Sequence, residues 1–294
     1  MATLAQRRTW GSIQLVRVLL RSPMSAFGTI VVVAFFVSAL VISAAGPLIL
    51  PYEPNRIDLS NTLASPSPAH LMGTDNFGRD ILTRVLVSIP IDAAMSVFVV
   101  AISIGLGLFC GTLAGYLGGK TDELIMRTTD VFMAFPGIIL ALAIASALGP
   151  SVDHVAEALV AVWWPPYVRI ARAETLAIRE NLYVLAAQAA GQRTLTTIRR
   201  HIIPNILPPL VVYATLDIGG VILVASILSY LGLGAQPPLA EWGRMVFDSQ
   251  DYLFSQWWLP IFPAIAILVT VLGFNLLGDG LRDILDPKRL LHLR

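Results

Sequence analysis

Long uncharged stretches dominate this sequence and limit the folds open to it. Residues 22–52 contain no Asp, Glu, Lys or Arg, and residues 85–119 contain only Asp92. A helix of about 20 apolar residues crosses a bilayer core, so both stretches are long enough to span a membrane. Charged residues make up 13% of the chain, about half the roughly 25% of a soluble protein. The pattern predicts an all-α integral membrane protein.

The uncharged runs predict six transmembrane helices and the segments between them. We expect a 24–284 transmembrane domain between an arm at 1–23 and a tail at 285–294. The predicted helices cover about residues 24–48, 90–116, 131–148, 155–171, 207–234 and 258–277. The segments long enough to have structure of their own are the loops 51–87, 172–206 and 236–257.

The basic residues predict the orientation of the chain. Of the 20 Lys and Arg residues, only Arg56, Arg79, Arg84 and Arg244 fall in the loops 51–87 and 236–257. The others lie in or next to the arm, the tail and the loops after the second and fourth helices. Cytoplasmic loops are enriched in Lys and Arg. We therefore expect both termini and the loop 172–206 in the cytoplasm.

Several functions are disfavoured by the residues present. A net charge of +1 provides no general basic surface for nucleic acid. Gly119-Lys120-Thr121 resembles the end of a phosphate-binding loop, but Ala114 replaces the first glycine of that pattern. An intramembrane aspartyl protease is disfavoured because Leu276 replaces the first Gly of its Gly-x-Gly-Asp pattern. No His-Glu-x-x-His spacing is present either. We expect no catalytic residue, no metal and no cofactor in this chain.

The loop 172–206 is too long to be a simple connection between two helices. Residues 174–190 are rich in helix-forming residues, and Gly191 is a predicted helix stop. Thr194 is a predicted cap of a second short helix that Pro204 ends. Leu195, Ile198 and Ile202 would share one face of that helix, flanked by arginines that include Arg199. Such a helix lies either on anionic lipid head groups or in the groove of a partner.

The same loop resembles the EAA loop of binding-protein-dependent ABC importer permeases. The resemblance rests on Ala186-Ala187-x3-Gly191 with Pro204 thirteen residues later, although Leu185 replaces the family's Glu. A second block, His70-Leu-Met-Gly73-Thr-Asp75-Asn-Phe-Gly78-Arg79-Asp80, resembles the outer-loop signature of the dipeptide, oligopeptide and nickel subfamily. Further matching blocks continue to residue 290, and together they are similar to the "C"-type permease of a peptide importer.

The resemblance implies a fold, a location and a set of partners. It implies the six-helix type I ABC importer permease fold in a prokaryotic inner membrane. The chain would form half of a channel with a second, homologous permease, and an extracytoplasmic solute-binding protein would deliver the solute. Two ATPase subunits would bind ATP and Mg²⁺. Contact with them is implied for the following positions: Ala186, Ala187, Gly191, Thr194, Leu195, Ile198, Arg199 and Pro204.

The solute and the pathway are less closely defined by the sequence. Peptide and nickel-chelate importers share these blocks, so both cargoes are open. An ion-coupled secondary transporter is the alternative of another class, but the inverted repeats expected of one are not evident. Asp92 lies near a predicted helix end and can reach water. Asp217 lies at mid-depth, where an acidic residue either faces the pathway or pairs within the bundle.

A glycine repeat in the second predicted helix indicates close helix packing. Gly107, Gly111 and Gly115 recur at four-residue spacing, which places them on one face of a helix. Small residues on one face let a neighbouring helix approach closely. A flexible gate is the functional alternative for the same glycines, and we favour packing.

Overall fold

The computed structural model describes residues 19–20 and 22–285, and helices make up most of this part of the chain. Residues 1–18 of the predicted arm and 286–294 of the predicted tail lie outside the described residues. Besides short 3₁₀ and π turns, the described helices are α1 Pro23–Ile49, α2 Ile81–Leu117, α3 Gly119–Met133, α4 Gly137–Leu148, α5 Val152–Arg179, α6 Leu182–Ala189, α7 Thr194–Thr197, α8 Ile203–Tyr230, α9 Trp242–Asp248 and α10 Trp258–Leu285.

Four helical segments among the described residues are long and apolar enough to cross a bilayer. They are α1, α2, the continuous segment Thr194–Tyr230 and α10, and the bent pair α3–α4 raises the number to five. Helix α5 has 28 residues, about 42 Å at 1.5 Å per residue, but its sequence carries several charges. The membrane character of the chain is thus evident, while six spans and the side of each terminus stay predictions.

The second helix begins nine residues before its predicted start. Helix α2 starts at Ile81 because the Asp80 carboxylate accepts hydrogen bonds from the backbone N–H and the hydroxyl of Thr83, which caps the first turn. Arg84 lies inside this helix and is 3% exposed. Its guanidinium donates to the Pro54 carbonyl oxygen. The predicted boundary was wrong because a buried, hydrogen-bonded Arg was taken as an end of the helix.

The third predicted helix, 131–148, is two helices rather than one. Helices α3 and α4 meet at an angle of 84°. The break falls at residues 134–136, where Pro136 disfavours a helical conformation at the residue before it. Helix α3 continues from α2 through Gly118, whose φ is +66°. The bend creates a recess beside α4 that a straight span would not have.

The glycine face of α2 packs against α5, and this is the most extensive helix contact in the described fold. A Cβ at Gly111 would lie 2.5 Å from the Val168 carbonyl oxygen. A Cβ at Gly115 would lie 2.8 Å from the Cβ of Thr175. The predicted close packing is therefore confirmed, and it brings α5 against α2 although α5 is the most charged of the long helices.

Two ion pairs fasten the polar end of α5 to α3. The guanidinium of Arg172 donates to both carboxylate oxygens of Asp122, at 2.5 and 2.6 Å. Arg169 donates to Asp130 at 2.6 Å. These contacts compensate two of the charges of α5, and they connect α3 to α5 beside the recess next to α4.

Candidate functional site

The predicted helix over residues 174–190 is divided into two. Helix α5 ends at Arg179, and α6 begins at Leu182 after Asn181. The stop predicted at Gly191 is confirmed, because its φ is +77° and such a conformation favours glycine. Its N–H donates to the Gln188 carbonyl oxygen. Residues 182–202 therefore form a compact helix–turn–helix unit, which we call the loop unit.

Two of the predicted helix ends in the loop unit are wrong. Thr194 is the first residue of α7, and Arg193 occupies the cap position. Pro204 does not end a helix but lies in the first turn of α8, where proline's missing N–H needs no partner. A π-helical turn, Ile198–Ile202, joins α7 to α8. As a result, the segment from Thr194 to Tyr230 is continuous.

The predicted apolar face of the second helix is only partly available to a partner. Ile198 and Ile202 are buried against the chain's own helices, at 6% and 0% exposure. Leu195, by contrast, is 75% exposed. The apolar periodicity was identified correctly. However, Ile198 and Ile202 pack into the chain's own core instead of filling a partner's groove.

The apolar residues that the loop unit does expose come from both of its helices. Leu182 is 84% exposed and Leu185 is 44% exposed. We call these two residues together with Leu195 the loop leucines. Ala186 is exposed and Ala187 is half-buried. Arg199 is exposed within the unit, and Pro204 is exposed just beyond it. The exposed leucines on both of its helices make the loop unit a candidate docking surface.

The outer-loop block His70–Asp80 is folded onto itself. The Asp75 carboxylate accepts from the backbone N–H of Phe77 at 2.8 Å and from the Arg79 Nε at 2.7 Å. His70 contacts the Asp80 carboxylate at 2.9 Å. Positive φ angles at two further positions, Gly73 and Gly78, close the turns. This block is a rigid platform next to the start of α2.

We expect Asp75→Ala to loosen this platform. The substitution would leave the guanidinium of Arg79, which is 8% exposed, without its acidic partner. Breaking a buried pair in this way costs about 3 kcal/mol or more. Limited proteolysis of membranes should then cut between residues 55 and 80 at least tenfold faster. Glu53→Ala is the control, because Glu53 is exposed in the same loop. Equal cleavage of the two variants would contradict the assignment.

Asp92 does not reach water, contrary to the expectation from its predicted position near a helix end. It lies eleven residues inside α2 and is 1% exposed. Its carboxyl group faces Glu241 and Trp242, which lie at the start of α9. The expectation was wrong because α2 extends further back than predicted. The sequence signal that could have shown this was Asp80, a capping residue ten positions before the predicted start.

Glu241 is a buried acid whose role the sequence analysis missed. It is fully buried, and its carboxylate accepts from the backbone N–H groups of Gly243 at 2.8 Å and Arg244 at 2.9 Å. Burial raises the pKa of the Glu241 carboxyl, and these hydrogen bonds oppose that rise. The residue caps α9. An acid immediately before Trp-Gly at a helix start was the available signal.

Asp217 lies on the wall of the recess formed by the α3–α4 bend. The recess is a cavity of about 380 Å³. Asp217 and Tyr213 contribute from α8, and Trp163 contributes from α5. The remaining lining is apolar and consists of Phe132, Met133, Phe135, Gly137, Ile138, Val162 and Pro166. Of Asp92 and Asp217, the latter is thus the one that faces this cavity.

Residues 103–290 match the family described as binding-protein-dependent transport system inner membrane component. The match covers more than half of the chain, and the chain belongs to this family. Its membership makes it an inner-membrane permease subunit of an ABC importer, which implies ATPase and binding-protein partners.

Curated relatives align over nearly the whole length of the chain. It is 44% identical over 275 residues to the probable D,D-dipeptide transport system permease protein DdpC of Escherichia coli K12, covering 94% of this chain and 91% of that one. It is 40% identical to the dipeptide permease DppC of Alkalihalophilus pseudofirmus, with coverages of 91% and 87%. It is also 40% identical to the glutathione permease GsiD of Pectobacterium atrosepticum, with coverages of 86% and 85%. These relatives are transport permeases and not enzymes.

A solved structure shows the same fold. The inward-facing MetNI methionine ABC transporter superposes with a TM-score of 0.54 at 15% sequence identity. The superposition covers 70% of this chain and 96% of that one. At this identity the likeness shows the fold alone, which is that of an ABC importer membrane subunit.

Proposed function

We propose that this permease forms one half of a translocation pathway for di- and oligopeptides. The other half is a second, homologous permease subunit, so that the pathway lies between two different chains. The observation that carries the peptide assignment is the near-full-length identity to permeases named for D,D-dipeptides, dipeptides and glutathione. Glutathione is itself a short peptide, so the three named cargoes share one chemistry. Nickel chelates are the alternative cargo.

The proposed topology has six spans with both termini in the cytoplasm. Helix α5 is the sixth span, although its charged residues keep it out of the helices that are apolar enough to be recognised as spans by composition. Its apolar and small residues face the glycines of α2, while Arg169 and Arg172 are compensated by acids of α3. The excess of basic residues in the loop 172–206 supports a cytoplasmic position for the loop unit.

The proposed coupling surface consists of the loop leucines. In the cytoplasm they would insert into a groove on the partner ATPase, with ATP and Mg²⁺ bound by that partner and none in this chain. Leu195 lies near the start of the continuous segment Thr194–Tyr230, which also carries Asp217. A displacement of Leu195 is therefore transmitted along one helix to the wall of the cavity. This connection supports a rocking movement of α8 when the ATPase subunits close.

Alternating access follows from this connection if the ATPases bind the two conformations differently. ATP-bound, closed ATPase subunits hold two coupling surfaces at a shorter distance than open subunits do. The ATPases then stabilise one of two orientations of α8, and hydrolysis releases it. No bond in the solute is made or broken, so the chain contributes part of the pathway and the helix whose movement opens or closes it.

The cargo assignment is tested by ATP hydrolysis in the purified complex with its binding protein. We expect stimulation at least threefold by dipeptides or short peptides and none by nickel chelates. Stimulation by nickel chelates alone would contradict the peptide assignment while leaving the transporter class unchanged.

A further inference from the structure

The cavity beside α4 is lined by an acid and several aromatic rings, which a gap between packed helices does not need. Among the residues that line it, Asp217 is the only acid and none is basic. Trp163 and Tyr213 contribute aromatic rings, and so do Phe132 and Phe135. A volume of about 380 Å³ falls in the range of about 300–1,000 Å³ found for small-molecule sites. The cavity is thus large, aromatic and acidic.

The neighbouring charges do not neutralise this acid. Arg169 and Arg172, the basic residues of the adjoining part of α5, pair with acids of α3. The groups next to the Asp217 carboxyl are the Trp163 indole and the Tyr167 hydroxyl, both neutral. The carboxyl therefore has neutral polar neighbours and lies beside aromatic faces, an arrangement that attracts a cation.

An organic cation fits the cavity better than a metal ion does. A divalent metal takes several carboxylate, imidazole or thiolate ligands, and Asp217 is the only such side chain in the lining. Over residues 19–20 and 22–285, no group of three or more His, Cys, Asp or Glu could hold a metal ion. An ammonium group needs one carboxylate and aromatic faces, which are both present.

We propose that this cavity binds the terminal ammonium group of the transported peptide, with the Asp217 carboxyl as its partner and the rings of Trp163 and Tyr213 beside it. The inference rests on the proposed peptide function. Peptides differ in their side chains but share an ammonium end, so a site for that end tolerates many sequences. The lining has no basic group that could pair with the carboxylate end of the peptide. The second permease would then contact that end.

The cavity also lies where a pathway can be gated. One wall is α8, which begins next to the loop unit, and the other is formed by α5 and the bent pair α3–α4. Phe135 and Ile138 at its rim are 56% and 47% exposed. A movement of α8 relative to α4 would therefore change the distance between Asp217 and the aromatic rim. Binding and release of the ammonium group would then follow the position of α8.

The test is uptake of dialanine by the complete complex in proteoliposomes, with the L,L and D,D forms measured in parallel. We expect Asp217→Asn to raise the KM for uptake at least tenfold. Asp217→Glu should stay within about threefold of the unmodified complex, because it keeps the charge. Tyr167→Phe removes the neighbouring hydroxyl and should stay within twofold. Co-purification of the partner subunits verifies assembly of each variant.

Two results would overturn the ammonium site while leaving the peptide function intact. One is an unchanged KM in Asp217→Asn. The other is an equal loss in Tyr167→Phe, which would make Asp217 only a structural partner of that hydroxyl. If Asp217→Asn fails to assemble, uptake by Trp163→Leu is compared with uptake by Trp163→Phe. The proposed site requires that uptake falls at least threefold in Trp163→Leu but not in Trp163→Phe. Equal uptake by the two variants rejects the site. Failure of the unmodified complex to take up either dialanine would instead reject the peptide function.

Discussion

Gly107→Leu is expected to abolish accumulation of the folded permease in the membrane. A Cβ at Gly107 would overlap the Cβ of Tyr167 and lie 2.8 Å from its carbonyl carbon. Tyr167 is fully buried and lies within α5, so the backbones of α2 and α5 would have to separate. Overpacking of this kind usually costs about 1–3 kcal/mol and more where the backbone must move. The measurement is the amount of full-length protein in detergent-solubilised membranes.

The matched control for this substitution is Gly105→Leu in the same helix. A Cβ at Gly105 would have no atom of a neighbouring helix within 4 Å, and this glycine is exposed on α2. This variant carries the same Gly→Leu substitution two residues away, without the steric overlap with α5. We expect it to accumulate at more than half of the unmodified level. Equal accumulation of the two variants would contradict the packing of α2 against α5.

Leu195→Asp is expected to lower ATP-driven uptake at least tenfold in the assembled importer. Leu195 is 75% exposed and is not needed for the chain's own core. An aspartate there would place a charge in an apolar contact, and central interface residues commonly cost about 2 kcal/mol or more when changed. That cost corresponds to about a thirtyfold weaker contact, since each 1.4 kcal/mol is tenfold. The measurement compares uptake with ATP hydrolysis in the same preparation.

Two comparisons separate docking of the loop unit from a general defect. Leu195→Met keeps an apolar side chain and should retain more than half of the uptake. At Gly191 the positive φ of +77° is tolerated by Asn better than by most residues. Gly191→Asn should therefore retain more coupling than Gly191→Arg does. Uptake by Leu195→Asp equal to that of Leu195→Met would remove the loop leucines from the coupling surface.

Features that depend on local sequence were predictable. The uncharged run before Glu53 predicted α1 to within a residue at each end. The four-residue glycine repeat predicted a close helix contact, which proved to be with α5. The same holds for the self-contained block between Gly73 and Asp80, whose glycines and acids form turns and caps with near neighbours. In each case the forces that decide the structure act within a few residues.

Features that depend on distant contacts were not predictable. The start of α2 was misplaced because burial of Arg84 depends on Pro54 and Asn55, which lie about thirty residues away. Ile198 was expected on a partner-facing surface because periodicity identifies an apolar face but not what covers it. The bend at Pro136 was missed because the uncharged run over residues 131–152 continues across it. The cavity at Asp217 was missed because its lining comes from four helices that are separated along the sequence.

We propose above all that this permease carries peptides by coupling to ATP hydrolysis in partner subunits. The most direct measurement is uptake of a labelled dipeptide into proteoliposomes that contain the complete complex, with and without ATP at the ATPase side. We predict that uptake requires ATP, Mg²⁺ and the binding protein together, and that a proton or sodium gradient alone gives none. Uptake driven by such a gradient without ATP would contradict the claim and would make the chain a secondary transporter.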